Sequence, residues 1–218
     1  PANANLSKTQ KNTPVIKNII AYKISNNAIL WLGLDGFLYS SDMAGKNPQK
    51  LSNIKLKVNA TSDYAIFIFN QNIFLKEGSG LLLFDQDAKS FKNFYSPVTD
   101  IKISPNGQQL LFYNDHEILF SNINQLDEKT FLNRFSEKIS DCYWLGDDYL
   151  IFQLGYKIII SEIDVLDHVN IVELPQTLSL ANGTAVDLKN IKISFNQQDK
   201  KLYILNQDKV LVSERLVP

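Results

Sequence analysis

One short pattern returns five times along the 218 residues, and it limits the possible folds more than any other feature. Residues 21–25 read Ala-Tyr-Lys-Ile-Ser, residues 65–69 Ala-Ile-Phe-Ile-Phe, and residues 100–104 Asp-Ile-Lys-Ile-Ser. Residues 141–145 (Asp-Cys-Tyr-Trp-Leu) and 190–194 (Asn-Ile-Lys-Ile-Ser) complete the set. The second and fourth positions are apolar in all five copies: Tyr22/Ile24, Ile66/Ile68, Ile101/Ile103, Cys142/Trp144 and Ile191/Ile193. Alternate side chains of a strand share a face, so these pairs predict the buried face of five equivalent strands.

Each copy runs on into a turn of residues that tolerate positive φ or bond their own backbone. These turns are Asn26-Asn27, Asn70-Gln71, Pro105-Asn106-Gly107, Gly146-Asp147-Asp148 and Asn196-Gln197. A second strand follows, then a tight hairpin at Asp35-Gly36, Gly78-Ser79-Gly80, Asn114-Asp115, Gly155 or Gln207-Asp208, then a third strand. Four copies add a weaker fourth strand: Gln49 to Ser52, Phe91 to Tyr95, Thr130 to Phe135 and Val169 to Leu174. The stretches Asn124 to Lys129 and Gln176 to Asp187 lack strand character and read as excursions. From Ser25 to Ser194 there are four steps over 169 residues. A step of about 42 residues is the length of a four-stranded propeller blade.

The expected fold is therefore all-β: one five-bladed β-propeller of four-stranded antiparallel blades over residues 14–218. The fifth copy holds only three strands. Closure would need an outer strand from the N-terminus, where Asn5 to Lys11 is the spare segment, expected to pair with Lys209 to Ser213. Residues 1–13 otherwise read as a linker.

Composition narrows the chemistry. With 22 basic and 23 acidic residues the net charge is −1, so no surface for nucleic acid or anionic lipid is expected. Apolar runs are short, four residues at Leu81 to Phe84, so no segment is expected to insert in a membrane, and no charged region leads into an apolar signal segment. Cys142 is the lone cysteine, which leaves no internal disulfide, and its strand position reads as a small buried hydrophobe. His116 falls in a hairpin and His168 stands apart, in no metal-binding spacing. No phosphate-cradling glycine loop or nucleophile elbow occurs. No catalytic residue, metal or cofactor is expected.

Two constellations remain. Asp100 and Asp141 start the innermost strand of adjacent copies, with Asp63 and Asp187 two or three residues before that place in theirs. Paired carboxylates at a channel mouth would suit a glycan-acting enzyme; turn capping is the plainer reading. Between the apolar pairs, Lys23, Phe67, Lys102, Tyr143 and Lys192 share one register. The candidate ligand residues are thus Lys23, Lys102, Lys192, Asp100 and Asp141. They form either a solvated channel in which lysines balance aspartates, or a site for a small anion held by converging positive charge. The aromatics, Trp31 and Trp144 included, sit at core spacing.

Ile103-Ser104-Pro105-Asn106-Gly107 resembles the Ser-Pro-Asp-Gly turn of TolB-like, WD40-like propeller repeats, with Asn106 in place of the usual Asp. The stretches 103–118, 143–152, 160–164 and 199–204 are similar to the propeller region of PEGA-domain-containing bacterial proteins. That resemblance implies a propeller borne by a membrane-anchored parent and working outside the cytoplasm, with this chain as a C-terminal part. It supplies no catalytic residue. The functional expectation is a non-catalytic binding or structural module that engages an unidentified protein at a bacterial cell surface or envelope. The alternatives are a glycan-acting enzyme using Asp100 and Asp141, and small-anion sensing in the channel.

Overall fold

The computed structural model describes residues 16–59, 61–164, 170–179, 185–206 and 209–216. Among the described residues every helix or strand is a strand. The first sheet is β1 (Ile19–Ser25), β2 (Ala28–Gly33), β3 (Leu38–Asp42) and β4 (Gln49–Lys50). The second is β5 (Tyr64–Phe69), β6 (Asn72–Glu77), β7 (Gly80–Asp85) and β8 (Ser90–Tyr95). The third is β9 (Asp100–Ile103), β10 (Gln109–Tyr113), β11 (Glu117–Asn122) and β12 (Thr130–Arg134). The fourth is β13 (Ile139–Leu145), β14 (Tyr149–Leu154), β15 (Lys157–Glu162) and β16 (Ile171–Glu173). A two-stranded hairpin, β17 (Thr177–Ser179) and β18 (Ala185–Asp187), precedes the three-stranded fifth sheet. That sheet is β19 (Ile191–Asn196), β20 (Lys201–Asn206) and β21 (Lys209–Arg215). Strands within each sheet follow chain order, the meander that short hairpins impose.

Turn chemistry accounts for the connections. Asn26 and Asn27 both take positive φ (49° and 58°), the conformation that a two-residue hairpin with the right twist needs. Gly36 has φ +82°, and a Cβ there would collide with the Leu56 carbonyl oxygen, so glycine is required twice over.

Two compact units divide the chain, one holding the first two sheets and the other the last three together with the residue 69–72 turn. In the first unit, Ala21, Leu30, Leu32 and Leu38 of the first sheet pack on Ile66, Ile73, Leu75 and Phe84 of the second. In the second unit, the fourth sheet is buried on both sides. Cys142, Trp144, Leu150 and Phe152 meet Leu111, Tyr113, Ile118 and Phe120 of the third sheet. Its opposite face, with Tyr143, Ile151 and Ile160, meets Ile191, Ile193, Phe195 and Ile204 of the fifth.

Four of the repeat pairs meet the burial expected of them, Ile66, Ile101, Cys142, Trp144, Ile191 and Ile193 being buried and Ile68 and Ile103 partly so. The first pair does not: Tyr22 is 61 % and Ile24 52 % exposed. Both still hold the predicted register, with Tyr22 opposite Trp31 and Ile24 opposite Ile29. Register is therefore kept on this sheet while burial is not. A second correction concerns residues 176–187, where β17 and β18 pair in a stretch expected to be irregular. The Asn5 to Lys11 closure segment, Val169 and the Gln207-Asp208 hairpin lie outside the described residues.

Candidate functional site

Asp100 and Lys102 stand on β9, Asp141 and Tyr143 on β13, and Lys192 on β19. The alternation that buries Ile101, Cys142, Ile191 and Ile193 turns the residues between them to the other face. Lys102 is the hub. Its ammonium donates to the Cys142 carbonyl oxygen at 2.5 Å and lies 3.4 Å from Asp100 Oδ2. It also sits 3.8 Å above the Tyr143 ring centroid and 5.6 Å from that of Tyr113. An ammonium has three donors and no acceptor, and here a carbonyl, a carboxylate and a π face take them up.

Asp141 completes the cluster. Burial raises its carboxyl above the ordinary aspartate value, Lys102 and Lys192 pull it down, and Asp100 pushes it up. Four of the five sequence-derived site residues are therefore electrostatically coupled in the second unit, two cations against two carboxylates. Lys23 lies exposed on β1, in the first unit.

The same region ties the sheets together. Trp144 Nε1 donates to the Lys102 carbonyl oxygen at 3.2 Å, linking the fourth sheet to the third. Tyr143 Oη and Gln153 Nε2 donate to the Ile193 and Ile191 carbonyl oxygens at 3.2 and 3.1 Å, and Gln197 Nε2 returns a bond to the Trp144 carbonyl oxygen at 2.6 Å. These side-chain-to-backbone bonds satisfy innermost-strand carbonyls that have no ladder partner on that side.

The other residues weighed for chemistry stand apart from it. Burial pushes the Cys142 thiol up to about 12, which leaves it protonated and inert at neutral pH. His116 is exposed in its hairpin, its backbone N–H held by Asn114 Oδ1 at 2.8 Å. Asp63 is exposed, and exposed Asp187 caps the Lys189 N–H at 3.0 Å. His168 lies outside the described residues.

A second surface escaped sequence reasoning. On the first sheet, Ile16, Ile19, Tyr22, Ile24, Ile29 and Trp31 line an open apolar groove of about 290 Å³. Trp31 forms its floor and stacks on Tyr39 at 5.5 Å between ring centroids, with the planes 16° apart. Tyr39 Oη in turn donates to Asp35 Oδ2 at 2.6 Å, which fixes the aromatic pair from its polar end and holds the Asp35 carboxyl below its ordinary value. The repeat alignment carries no signal for it, because alternation shows which face of a strand is apolar and not what lies against that face.

Comparison with known proteins supports the fold class. No family model matches the chain, and no curated protein does. Among solved structures, the extracellular domain of the one-component system BT4673 from B. thetaiotaomicron aligns at TM-score 0.59 and 10 % identity, over 94 % of this chain and 28 % of that one. YCF48 bound to D1 peptide aligns at TM-score 0.52 and 17 % identity, over 90 % and 63 %. Virginiamycin B lyase from Staphylococcus aureus aligns at 0.49 and 11 %, over 92 % and 71 %. The first two are β-propeller proteins, and their likeness supports a propeller fold. One is an extracellular domain and the other was solved with a peptide bound, and the fold alone does not select a function.

Proposed function

We propose that this chain is a non-catalytic, extracytoplasmic propeller module that engages protein through the open apolar face of its first sheet. The observation that carries this reading is that face itself: two large apolar side chains more than half exposed at positions equivalent to core residues in the other copies, beside an aromatic-floored groove. A contiguous apolar surface of this kind marks an interaction site. The charged cluster supports the non-catalytic part, because Lys102 is taken up by its own neighbours and the carboxylates are matched by cations. YCF48, a protein of the same fold solved with a peptide bound, gives a precedent for recognition of protein by such a scaffold. The envelope location follows the resemblance to the propellers of PEGA-domain proteins, and the BT4673 neighbour is likewise an extracellular domain.

A photo-crosslinking amino acid placed at position 22 tests the reading, with the same group at position 116 as an exposed control on another sheet. Protein adducts at position 22 that are absent at position 116 are the expected result. Equal yields, or none, would remove the proposed binding face.

A further inference from the structure

We infer that a polar groove, where the β5–β6 turn meets the segment after β11, binds an uncharged saccharide. It shares no residue with the first-sheet face and goes beyond the reading above. The groove holds about 380 Å³ and is lined by Asn70, Gln71, Asn72, Ile123 and Asn124. That volume lies in the range of small-ligand sites. All five residues belong to the second compact unit, which takes in the residue 69–72 turn. Four of them carry side-chain amides, and the fifth, Ile123, is buried and brings its backbone carbonyl. No lining residue carries a charge.

The chain itself sets the direction of two of these amides. Asn70 Nδ2 donates to the Gly107 carbonyl oxygen and Asn72 Nδ2 to that of Ile123, each at 3.2 Å. A carbonyl only accepts, so both amides turn nitrogen to the protein, and each Oδ1 remains as a held acceptor. Gln71 and Asn124 are exposed, and among the described residues neither side chain is engaged in a hydrogen bond. Asn124 uses only its backbone N–H, on Asn122 Oδ1 at 2.9 Å. Each of these two side chains thus offers two N–H donors and an acceptor to an incoming molecule. An anion would meet held oxygens with no cation to balance it, and a cation would meet no carboxylate. An apolar ligand would strip water from four amides and return no hydrogen bond. A hydroxyl both donates and accepts, so neighbouring hydroxyls of a sugar ring answer held acceptors and free donors alike. A bound peptide strand also needs pockets for its alternate side chains, which this lining does not supply.

Titration of the isotope-labelled chain with uncharged disaccharides (maltose, cellobiose, lactose and diacetylchitobiose), read at the side-chain amide NMR signals, tests the site. Saturable shifts of the Gln71 and Asn124 signals with at least one of them are expected. Molar salt should leave the affinity unchanged, because no charge takes part. Gln71→Ala and Asn124→Ala each remove one amide and should weaken binding about fivefold. Gln198→Ala, which removes an exposed amide on the β19–β20 turn, should leave it unchanged. All three positions are exposed, and melting temperatures equal to wild type verify the folds. No saturable shift with any of the disaccharides overturns the inference. So does binding that both lining variants retain at full strength, or binding that salt abolishes. Shifts produced only by a blocked, uncharged tripeptide would overturn it too, and would make the groove a peptide site.

Discussion

The first and fourth sheets carry the same repeat in the same register and end in opposite environments. Tyr22 and Ile24 lie 61 % and 52 % exposed, whereas Cys142 and Trp144 occupy the equivalent places at 0 % and 2 %. The strands are made by the same local rules: alternate apolar residues, a turn of Asn, Asp or Gly, and a hairpin. What differs is that the fourth sheet packs on the third and the fifth, while Tyr22 and Ile24 stand outside the cluster that Ala21, Leu30 and Leu32 join. Register belongs to the strand; burial belongs to the stack.

The largest expected effect tests this contrast directly. Trp144→Ala removes a fully enclosed side chain and its bond to the Lys102 carbonyl oxygen, and should cost about 3–5 kcal/mol. Ile24→Ala, the same repeat position on the first sheet, should stay within about 0.5 kcal/mol. Urea unfolding measures both, and similar losses would show that the first-sheet face is covered in solution. Ile193→Ala, at 4 % exposure, should cost about 2–5 kcal/mol, and Ile103→Ala less, since that side chain is only partly buried.

The charged cluster should respond next. Lys102→Met leaves the Cys142 carbonyl oxygen without its side-chain donor and the Asp100 and Asp141 carboxylates without their shared cation. Losing a charged hydrogen bond at a partly buried site costs about 1–3 kcal/mol. The Asp141 carboxyl should also titrate higher in the variant, because Lys102 is the largest influence holding it down. Carboxyl NMR shifts followed from pH 3 to 8 would show this. An unmoved Asp141 would mean that the cluster is not coupled.

Two aspartates on different sheets should carry opposite pH signatures. Burial raises Asp141, so between its unfolded and folded pKa the native state holds the extra proton. The stability from that proton is present at low pH and is lost as pH rises through the folded value. Asp35 is lowered, chiefly by the Tyr39 hydroxyl, so its contribution is present above the unfolded pKa and is lost as pH falls through the folded value. Melting temperatures of Asp141→Asn and Asp35→Asn, each taken relative to wild type from pH 3 to 7, should therefore change in opposite directions. Asp141→Asn gains on wild type as pH rises and Asp35→Asn falls behind. The same slope for both would contradict the cluster's burial or the Tyr39–Asp35 bond.

Much of the architecture was legible because propeller repeats are local. The pairs Ile101/Ile103 and Ile191/Ile193, the Asn26-Asn27 turn and the Gly36, Gly78 and Gly155 hairpins each follow from residues within a dozen positions of one another. The β17–β18 hairpin was not, because its two strands are three residues each and carry no sustained alternation. The cluster was half legible. Register alone put Lys102 and Lys192 beside Asp100 and Asp141, yet the alignment could not show that the Cys142 carbonyl oxygen and the Tyr143 ring take up the Lys102 ammonium. The groove on the first sheet was read as core, because a repeat pattern records which face is apolar and not whether anything lies against it.

The smallest expected effect is the one that separates packing from docking. In dilute solution Tyr22→Ser should shift the stability of the isolated chain by no more than about 0.5 kcal/mol, since an exposed side chain has little burial to lose. Its hydroxyl-bearing ring lies opposite Trp31 across the β1–β2 ladder, so a small loss from that cross-strand pair is the upper limit. The same substitution should matter more wherever protein occupies the groove, because there the ring is buried by its partner. Thermal unfolding of wild type and Tyr22→Ser across a hundredfold concentration range makes the distinction. A gap between their midpoints that widens with concentration places Tyr22 in an interface between molecules. A large gap that is constant, even at the lowest concentration, would place it in the core of a single chain, as the repeat pattern by itself suggests.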